Sequence, residues 1–84
     1  MKIRVTKQDI KWGWIGDSKM CPVSRAIRRR LKGKFSVKVY PYEILIGDRP
    51  VLSVPEIVTD FIAEFDHGLK GKPFTFELDL KGKL

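Results

Sequence analysis

The stretch SVPEIVTDFIAEFDHG, residues 53–68, predicts an amphipathic helix and decides the fold class of the chain. Its apolar residues recur at about every third or fourth position and so share one helical face. They are Ile57, Val58, Phe61, Ile62 and Phe65. Ser53 and Glu56 have the spacing of a capping box, and Gly68 is a typical helix terminator. The helix therefore has one face for a core and one acidic face for solvent.

Four stretches on either side of this helix predict strands, three of them by alternating apolar and polar residues and EILI as a short run that follows FSVKVY. They are KIRVT at 2–6, FSVKVY at 35–40, EILI at 43–46 and FTFELDL at 74–80. The two middle stretches are close enough in sequence to form a hairpin. The tail that follows is expected to fray.

A second amphipathic helix is predicted for CPVSRAIRRRLK, residues 21–32. Pro22 suits the first helical position because its missing N–H needs no partner there. The residue before a proline avoids helical backbone angles, so Cys21 is the expected N-cap. Gly33 is expected to end the helix.

The order of these elements is β-α-β-β-α-β, which places the chain in the α+β class. An antiparallel sheet with two helices on one face buries the apolar face of every strand against the apolar faces of both helices. The ferredoxin-like arrangement is the leading prediction. A looser α+β sandwich of the same elements is the alternative, because the stretch before the first helix is long. At 84 residues, positions 1–84 are expected to form a single domain.

Composition excludes several classes of protein. Hydrophobic residues make up 43% of the chain, enough for one small core. No run approaches the ~18–20 apolar residues of a membrane span, and no apolar leader follows Met1. Cys21 is the single cysteine, which excludes an internal disulfide framework and a cysteine-rich zinc site. We therefore expect a soluble, intracellular protein with no membrane partner.

The charge is distributed unevenly along the chain. Residues 1–42 contain twelve Lys or Arg and two Asp, a formal charge of +10. Residues 43–84 contain five Lys or Arg and eight Asp or Glu, a formal charge of −3. Such asymmetry indicates a basic face for nucleic acid, a nucleotide or an acidic protein surface. The alternative is that the two halves pack together and neutralise each other.

A basic stripe on the helix predicted for residues 21–32 is the strongest candidate for that face. Its members follow helical spacing and are extended by two lysines of the next strand. They are Arg25, Arg28, Arg29, Lys32, Lys34 and Lys38. Arginine matches phosphate through its planar fork. Alternatively the stripe is a solubilising face, or forms ion pairs with Asp60 and Glu64. Arg30 falls on the apolar side, where it requires a carboxylate partner or a ligand.

An apolar loop precedes this helix and contains Trp12, Trp14 and Ile15. Tryptophan is enriched at the energetic centres of protein interfaces, so the loop is a candidate binding surface. The alternative is that these residues close one end of a small core. One helical turn is indicated before the loop, where Thr6 and Asp9 have capping spacing.

No recognisable catalytic motif occurs, and we predict no enzyme activity, no cofactor and no metal site. Cys21 is one exception to consider. A helix N-terminus and nearby Arg25 would lower the pKa of its thiol, which leaves a Cys21-dependent enzyme as a further alternative. A buried capping thiol is the simpler interpretation. His67, at the end of the acidic helix, is expected to cap that helix.

Several stretches together resemble short proteins encoded by bacteriophages and prophages. They are VTKQDIKWG, CPVSRAIRR, VPEIVTDFIAEFDHG and PFTFEL, and they cover nearly the whole chain. As that group has no established activity, the resemblance implies a phage origin and action in the bacterial cytoplasm, but assigns no site residues. Small phage proteins often bind host components, and inhibition of a host defence such as CRISPR is one such role. This association is by size and origin.

The leading hypothesis is therefore a small basic binding protein without catalytic activity, which acts on a host macromolecule through the basic helix and the tryptophan loop. Direct binding of nucleic acid or a nucleotide by the arginine-rich helix is the first alternative. Either a monomer or a homodimer is compatible with the sequence, since an exposed strand edge can pair with a second copy.

Overall fold

Eight helices and strands make up the part of the chain that the computed structural model describes, residues 1–51 and 53–79. In chain order they are β1 (Lys2–Val5), α1 (Lys7–Trp12), α2 (Pro22–Arg30), β2 (Val37–Tyr40), β3 (Glu43–Ile46), β4 (Arg49–Pro50), α3 (Glu56–Asp66) and β5 (Phe74–Glu77). Within these residues, no helix combines the length and the apolar character that crossing a membrane requires. The end of the last predicted strand and the tail lie outside the described residues.

The strands form two antiparallel sheets in the described part of the chain, so the predicted α+β class is confirmed. In one sheet, β1 pairs with β5, and Ile3 lies opposite Phe76. In the other, β2, β3 and β4 follow one another, and the predicted hairpin of β2 and β3 places Val39 opposite Ile44.

The continuous ferredoxin-like sheet is not the observed arrangement. Strand β3 pairs with β2 along one edge and with β4 along the other, where Leu45 lies opposite Pro50. Beyond β4, the N–H of Val51 also donates to the carbonyl of Ile44 at 2.9 Å. Both edges of β3 are therefore occupied, and β1 pairs elsewhere, with β5.

The core lies between the apolar faces of both sheets and the helices α2 and α3. Alternation along the strands turns Ile3, Val5, Ile44 and Ile46 inward, and each of them is fully buried. Burial of such a side chain contributes roughly 1.5–3 kcal/mol. The ring of Phe61 on α3 lies 4.9 Å from that of Phe74 on β5, which joins this helix to the two-stranded sheet.

The C-terminal end of α3 agrees with the sequence prediction, but its N-terminal cap does not. Leu69 donates to the carbonyl of Glu64 and Gly68 to that of Phe65, each at 3.0 Å, as in a Schellman motif. The capping box predicted at Ser53 is wrong. Because the extended backbone of Pro55 stands at the N-cap, the helix begins only at Glu56 and lacks a side-chain cap.

Candidate functional site

Two arginines of α2, Arg25 and Arg29, face a buried carboxylate. Asp9 on α1 is fully buried. The guanidinium of Arg29 donates two hydrogen bonds to it, at 2.6 and 2.8 Å. The Nε of Arg25 lies 3.7 Å from the same carboxylate. Two of the arginines predicted to face a ligand therefore face Asp9 of their own chain.

The electrostatics of Asp9 follow from this geometry. Burial by itself raises the pKa of the carboxyl, but the hydrogen bonds from Arg29 and Thr6 and the charge of Arg29 outweigh it, so the pKa lies below its usual value. The N–H of Thr6 donates to Asp9 at 2.9 Å, and the Thr6 hydroxyl accepts from the Asp9 N–H at 3.2 Å. The predicted capping box is thus confirmed and is part of this ion-pair cluster.

The remaining members of the predicted basic stripe do not form one face with these arginines. Arg28 donates to the carbonyl of Lys19 and to the sulfur of Met20, and so holds the loop before α2. Lys38 is half-buried, with its Nζ 4.0 Å from Asp48. Lys34 is exposed. The predicted stripe required one continuous helix, but α2 ends at Arg30, before Lys32 and Lys34.

Lys32 lies outside α2, which ends at Arg30 with Leu31 as its C-cap. The N–H of Gly33 donates to the carbonyl of Arg28 at 2.9 Å, and that of Lys32 to Arg29 at 3.1 Å. This is a Schellman motif with Lys32 at the position that requires a left-handed backbone, and its φ is 56°. The predicted placement of Lys32 on the helical stripe is therefore wrong.

The tryptophan loop is exposed. Trp12, Trp14 and Ile15 keep 58%, 60% and 58% of their surface accessible. They therefore do not close the core, which was the alternative interpretation. Leu69, which follows the end of α3, is also 58% exposed and lines a groove together with Ile15.

Hydrogen bonds hold this loop in one conformation. The N–H of Trp14 donates to the carbonyl of Met20 at 2.8 Å, and the N–H of Val39 donates to that of Ser18 at 2.8 Å. The carboxylate of Asp66 accepts from the N–H of Gly16 at 3.1 Å. The indole of Trp14 is thus presented by a loop that is fixed to β2 and α3, and that of Trp12 by the last residue of α1.

A groove of about 640 Å³ adjoins the loop. Its apolar lining residues, which we call the groove floor, are Ile10, Ile15, Phe65, Leu69 and Pro73. Four lysines line the same groove, and none of the described residues that line it is a carboxylate. They are Lys7, Lys11, Lys70 and Lys72. We call the exposed residues Trp12, Trp14, Ile15 and Leu69, together with this groove, the tryptophan–lysine surface.

Cys21 and His67 have structural roles in the described residues. Cys21 is the N-cap of α2, where its Sγ accepts from the N–H of Ser24 at 3.5 Å. Burial raises the pKa of the thiol, against the lowering expected from the helix N-terminus. The Nδ1 of His67 lies 2.7 Å from the carbonyl of Ala63, the contact of a C-terminal cap.

Comparison of the chain with protein-family models, curated proteins and solved structures gave no match.

Sequence reasoning missed two features of the site. Asp9 was recognised as a capping residue, but its role as partner of Arg29 was not. The lysines of the groove lie in two distant parts of the sequence, at Lys7 and Lys11 and at Lys70 and Lys72. Only the clustering of lysine with Gly and Pro at residues 70–73 could have indicated an exposed basic turn beside α3.

Proposed function

We propose that this chain is a small binding protein without catalytic activity, which docks through the tryptophan–lysine surface on an acidic segment of another protein. One observation carries the proposal: four lysines line a groove with apolar residues, and no carboxylate is among the described residues that line it. A partner that presents apolar side chains flanked by Asp or Glu matches both properties. The groove floor takes the apolar groups and the lysines take the carboxylates.

The two kinds of group have different roles in such a complex. Exposed tryptophans supply large contact areas, and truncation of one at an interface centre typically costs ~2 kcal/mol or more. Lysines around an interface speed encounter with an acidic partner and set its orientation. We therefore assign affinity mainly to Trp12, Trp14 and the groove floor, and steering to the lysines.

The resemblance to phage proteins supports a bacterial host protein as the partner, and the bacterial cytoplasm as the place of action. Inhibition of a host defence system, CRISPR included, is the concrete form of this proposal. A protein that blocks such a system by occupying a surface needs no catalytic residue of its own.

The direct test is to titrate the protein with a synthetic peptide in which leucine and phenylalanine alternate with glutamate. Tryptophan fluorescence and the chemical shifts of the backbone amides measure the binding. We expect shifts to concentrate at residues 10–15 and 65–73. Trp14→Ala should weaken binding by about tenfold or more. Tyr42→Ala is the matched control, because Tyr42 is 85% exposed and lies outside the groove lining.

Equal affinity of the Trp14→Ala variant and the native chain would contradict the proposal. So would an equal loss in Tyr42→Ala. A polyglutamate peptide of the same length separates the two contributions, since it offers charge without apolar groups and should bind much more weakly. Sedimentation at the same concentrations distinguishes the monomer from the homodimer.

A further inference from the structure

A second groove, of about 650 Å³, lies between the outer face of β1 and the C-terminal half of α2. Within the described part of the chain, five cationic residues and no carboxylate line it. They are Lys2, Arg4, Arg29, Arg30 and Lys32. Three of these were not in the basic face predicted from the sequence.

Local structure explains why these cations converge. Alternation along β1 buries Ile3 and Val5 and leaves Lys2 and Arg4 on the outer face. The last turn of α2 supplies Arg30, and the Schellman motif supplies Lys32 just after it. Residues from a strand and from a helix end therefore share one open groove.

The walls of this groove are held at a fixed separation. The Nη2 of Arg29 donates both to the backbone carbonyl of Arg4 at 2.9 Å and to Asp9 at 2.8 Å, and its Nη1 donates to Asp9 at 2.6 Å. Arg29 thus joins α2 to β1, and its charge is compensated by a carboxylate. A preformed groove lowers the ordering cost of binding.

The other cations are not compensated in the same way. No ion pair among the described residues involves Arg4, Arg30 or Lys32. Glu77 lies opposite Lys2 in the sheet register, and its Oε1 is 3.5 Å from the N-terminal amine. Because Glu77 stands beside Lys2 in this sheet, its negative charge lowers the positive potential at that end of the groove.

We propose that this groove binds the phosphodiester backbone of a nucleic acid. Arg4 and Arg30 offer planar guanidinium forks that match phosphate oxygens, and Lys2 and Lys32 add point charges. An open groove suits a polymer that passes through it, and phosphate contacts require no apolar wall. An acidic peptide fits less well, because Ala26 is the only apolar residue among the described ones that line the groove, and it is itself buried.

This assignment moves the nucleic-acid hypothesis to a different site. The stripe suggested by helical spacing uses Arg25 and Arg29 around Asp9, and Arg28 on the loop. The groove instead combines Arg30 with exposed residues of β1; Arg30 is itself exposed, so its predicted place on the apolar side of the helix is wrong. It is independent of the tryptophan–lysine surface, with which it shares no lining residue.

The test is fluorescence anisotropy of labelled single- and double-stranded DNA and RNA of equal length, at ~50 and ~200 mM salt. If four phosphates are neutralised, affinity should fall by about 50-fold for a single strand and about 150-fold for a duplex between these conditions. Arg4→Glu and Arg30→Glu should each weaken binding by at least about tenfold and reduce the salt slope by about 1. Glu77→Gln should strengthen binding.

Lys34→Glu is the matched control, because it makes the same change of net charge at an exposed position outside the groove lining. Thermal melts of every variant establish that the fold is intact.

The proposal is overturned if no probe binds at the lower salt, or if Lys34→Glu loses as much affinity as Arg30→Glu. Polyglutamate that competes as well as the oligonucleotide would overturn the assignment to phosphate. Retention of nucleic-acid binding by Trp14→Ala would separate this groove from the tryptophan–lysine surface.

Discussion

The carboxylate of Asp9 accepts two hydrogen bonds from the guanidinium of Arg29, although the two residues are 20 positions apart. Asp9 is fully buried and Arg29 is half-exposed. The pair fixes α1 against α2, and Arg29 extends the connection to β1 through the carbonyl of Arg4. A basic residue that looks like a ligand contact in the sequence is therefore part of the fold.

We expect Asp9→Asn to destabilise the protein by about 1.5–3 kcal/mol at neutral pH, because it removes the charged acceptor of two hydrogen bonds from Arg29, which is itself half-exposed. The effect should depend on pH. The lowered pKa of Asp9 in the folded protein means that the carboxylate stabilises the fold above its unfolded pKa, near 3.9. That contribution is lost as pH falls from there through the folded value.

Urea denaturation of the native chain and of Asp9→Asn at several pH values checks this prediction. The two free energies of unfolding should converge as the solution becomes more acidic than about pH 4. Asp60→Asn, at an exposed position of α3, is the control and should change stability by less than ~0.5 kcal/mol. A difference between native and Asp9→Asn that stays constant down to pH 2 would contradict the role given to the ion pair.

Gly13→Ala should destabilise the protein by about 1–3 kcal/mol through overpacking. A Cβ at Gly13 would lie 2.5 Å from Cδ of Pro22 and 2.7 Å from the carbonyl oxygen of Asp9. The φ of Gly13 is −70°, so backbone strain is not involved. In a double-mutant cycle, Pro22→Ala should relieve part of the cost, and strict additivity of the two changes would argue against the contact.

Lys32→Gly should stabilise the protein by roughly 1 kcal/mol. Its φ of 56° lies in the left-handed region, which costs a side chain about 1–2 kcal/mol and glycine almost nothing. Chemical denaturation measures the gain, and Lys34→Gly is the control at a neighbouring exposed position. Because Lys32 also lines the basic groove, the same variant should bind nucleic acid more weakly while being more stable.

Both tryptophans should be quenched by acrylamide almost as readily as free tryptophan, because more than half of each side chain is accessible. Trp12→Phe and Trp14→Phe variants report the two residues separately. Addition of an acidic-apolar peptide should protect them. Quenching that is already low in the free protein would show that the loop is covered, and would remove the basis of the proposed docking surface.

Cys21 should react slowly with thiol reagents at neutral pH in the folded protein and rapidly in urea. Burial raises the pKa of its thiol, and only the thiolate is a nucleophile. We expect the native rate to be at least about tenfold lower than the unfolded rate. A native thiol that reacts as fast as the unfolded one would instead favour the Cys21-dependent enzyme considered from the sequence.

Much of the local structure was predictable from neighbouring residues. The spacing of Phe61 and Phe65 indicated α3, Gly68 indicated its end, and Pro22 indicated the start of α2. These signals work because helix caps and side-chain periods depend on residues only a few positions apart. The wrong prediction of a capping box at Ser53 also concerns residues only a few positions apart. Pro55 is the N-cap instead, so the helix begins at Glu56.

The division into two sheets was not predictable in the same way. Strand β4 is only two residues long, and it carries no alternation that would identify it. Its pairing with β3 nevertheless occupies the edge of β3 to which β1 would pair in a continuous sheet. The two-sheet topology therefore depends on a short strand with little sequence signal.

By itself, the sequence determined the α+β class, the main helices and strands and the excess of positive charge in the first half of the chain. Only the tertiary structure decided which of those charges are matched. Arg29 and Arg30 line the same open groove with Arg4, but the charge of Arg29 is matched by Asp9, whereas no ion pair among the described residues involves Arg30. The physical reason is that ion pairing depends on distances between α1, α2 and β1, and the packing of these elements sets those distances.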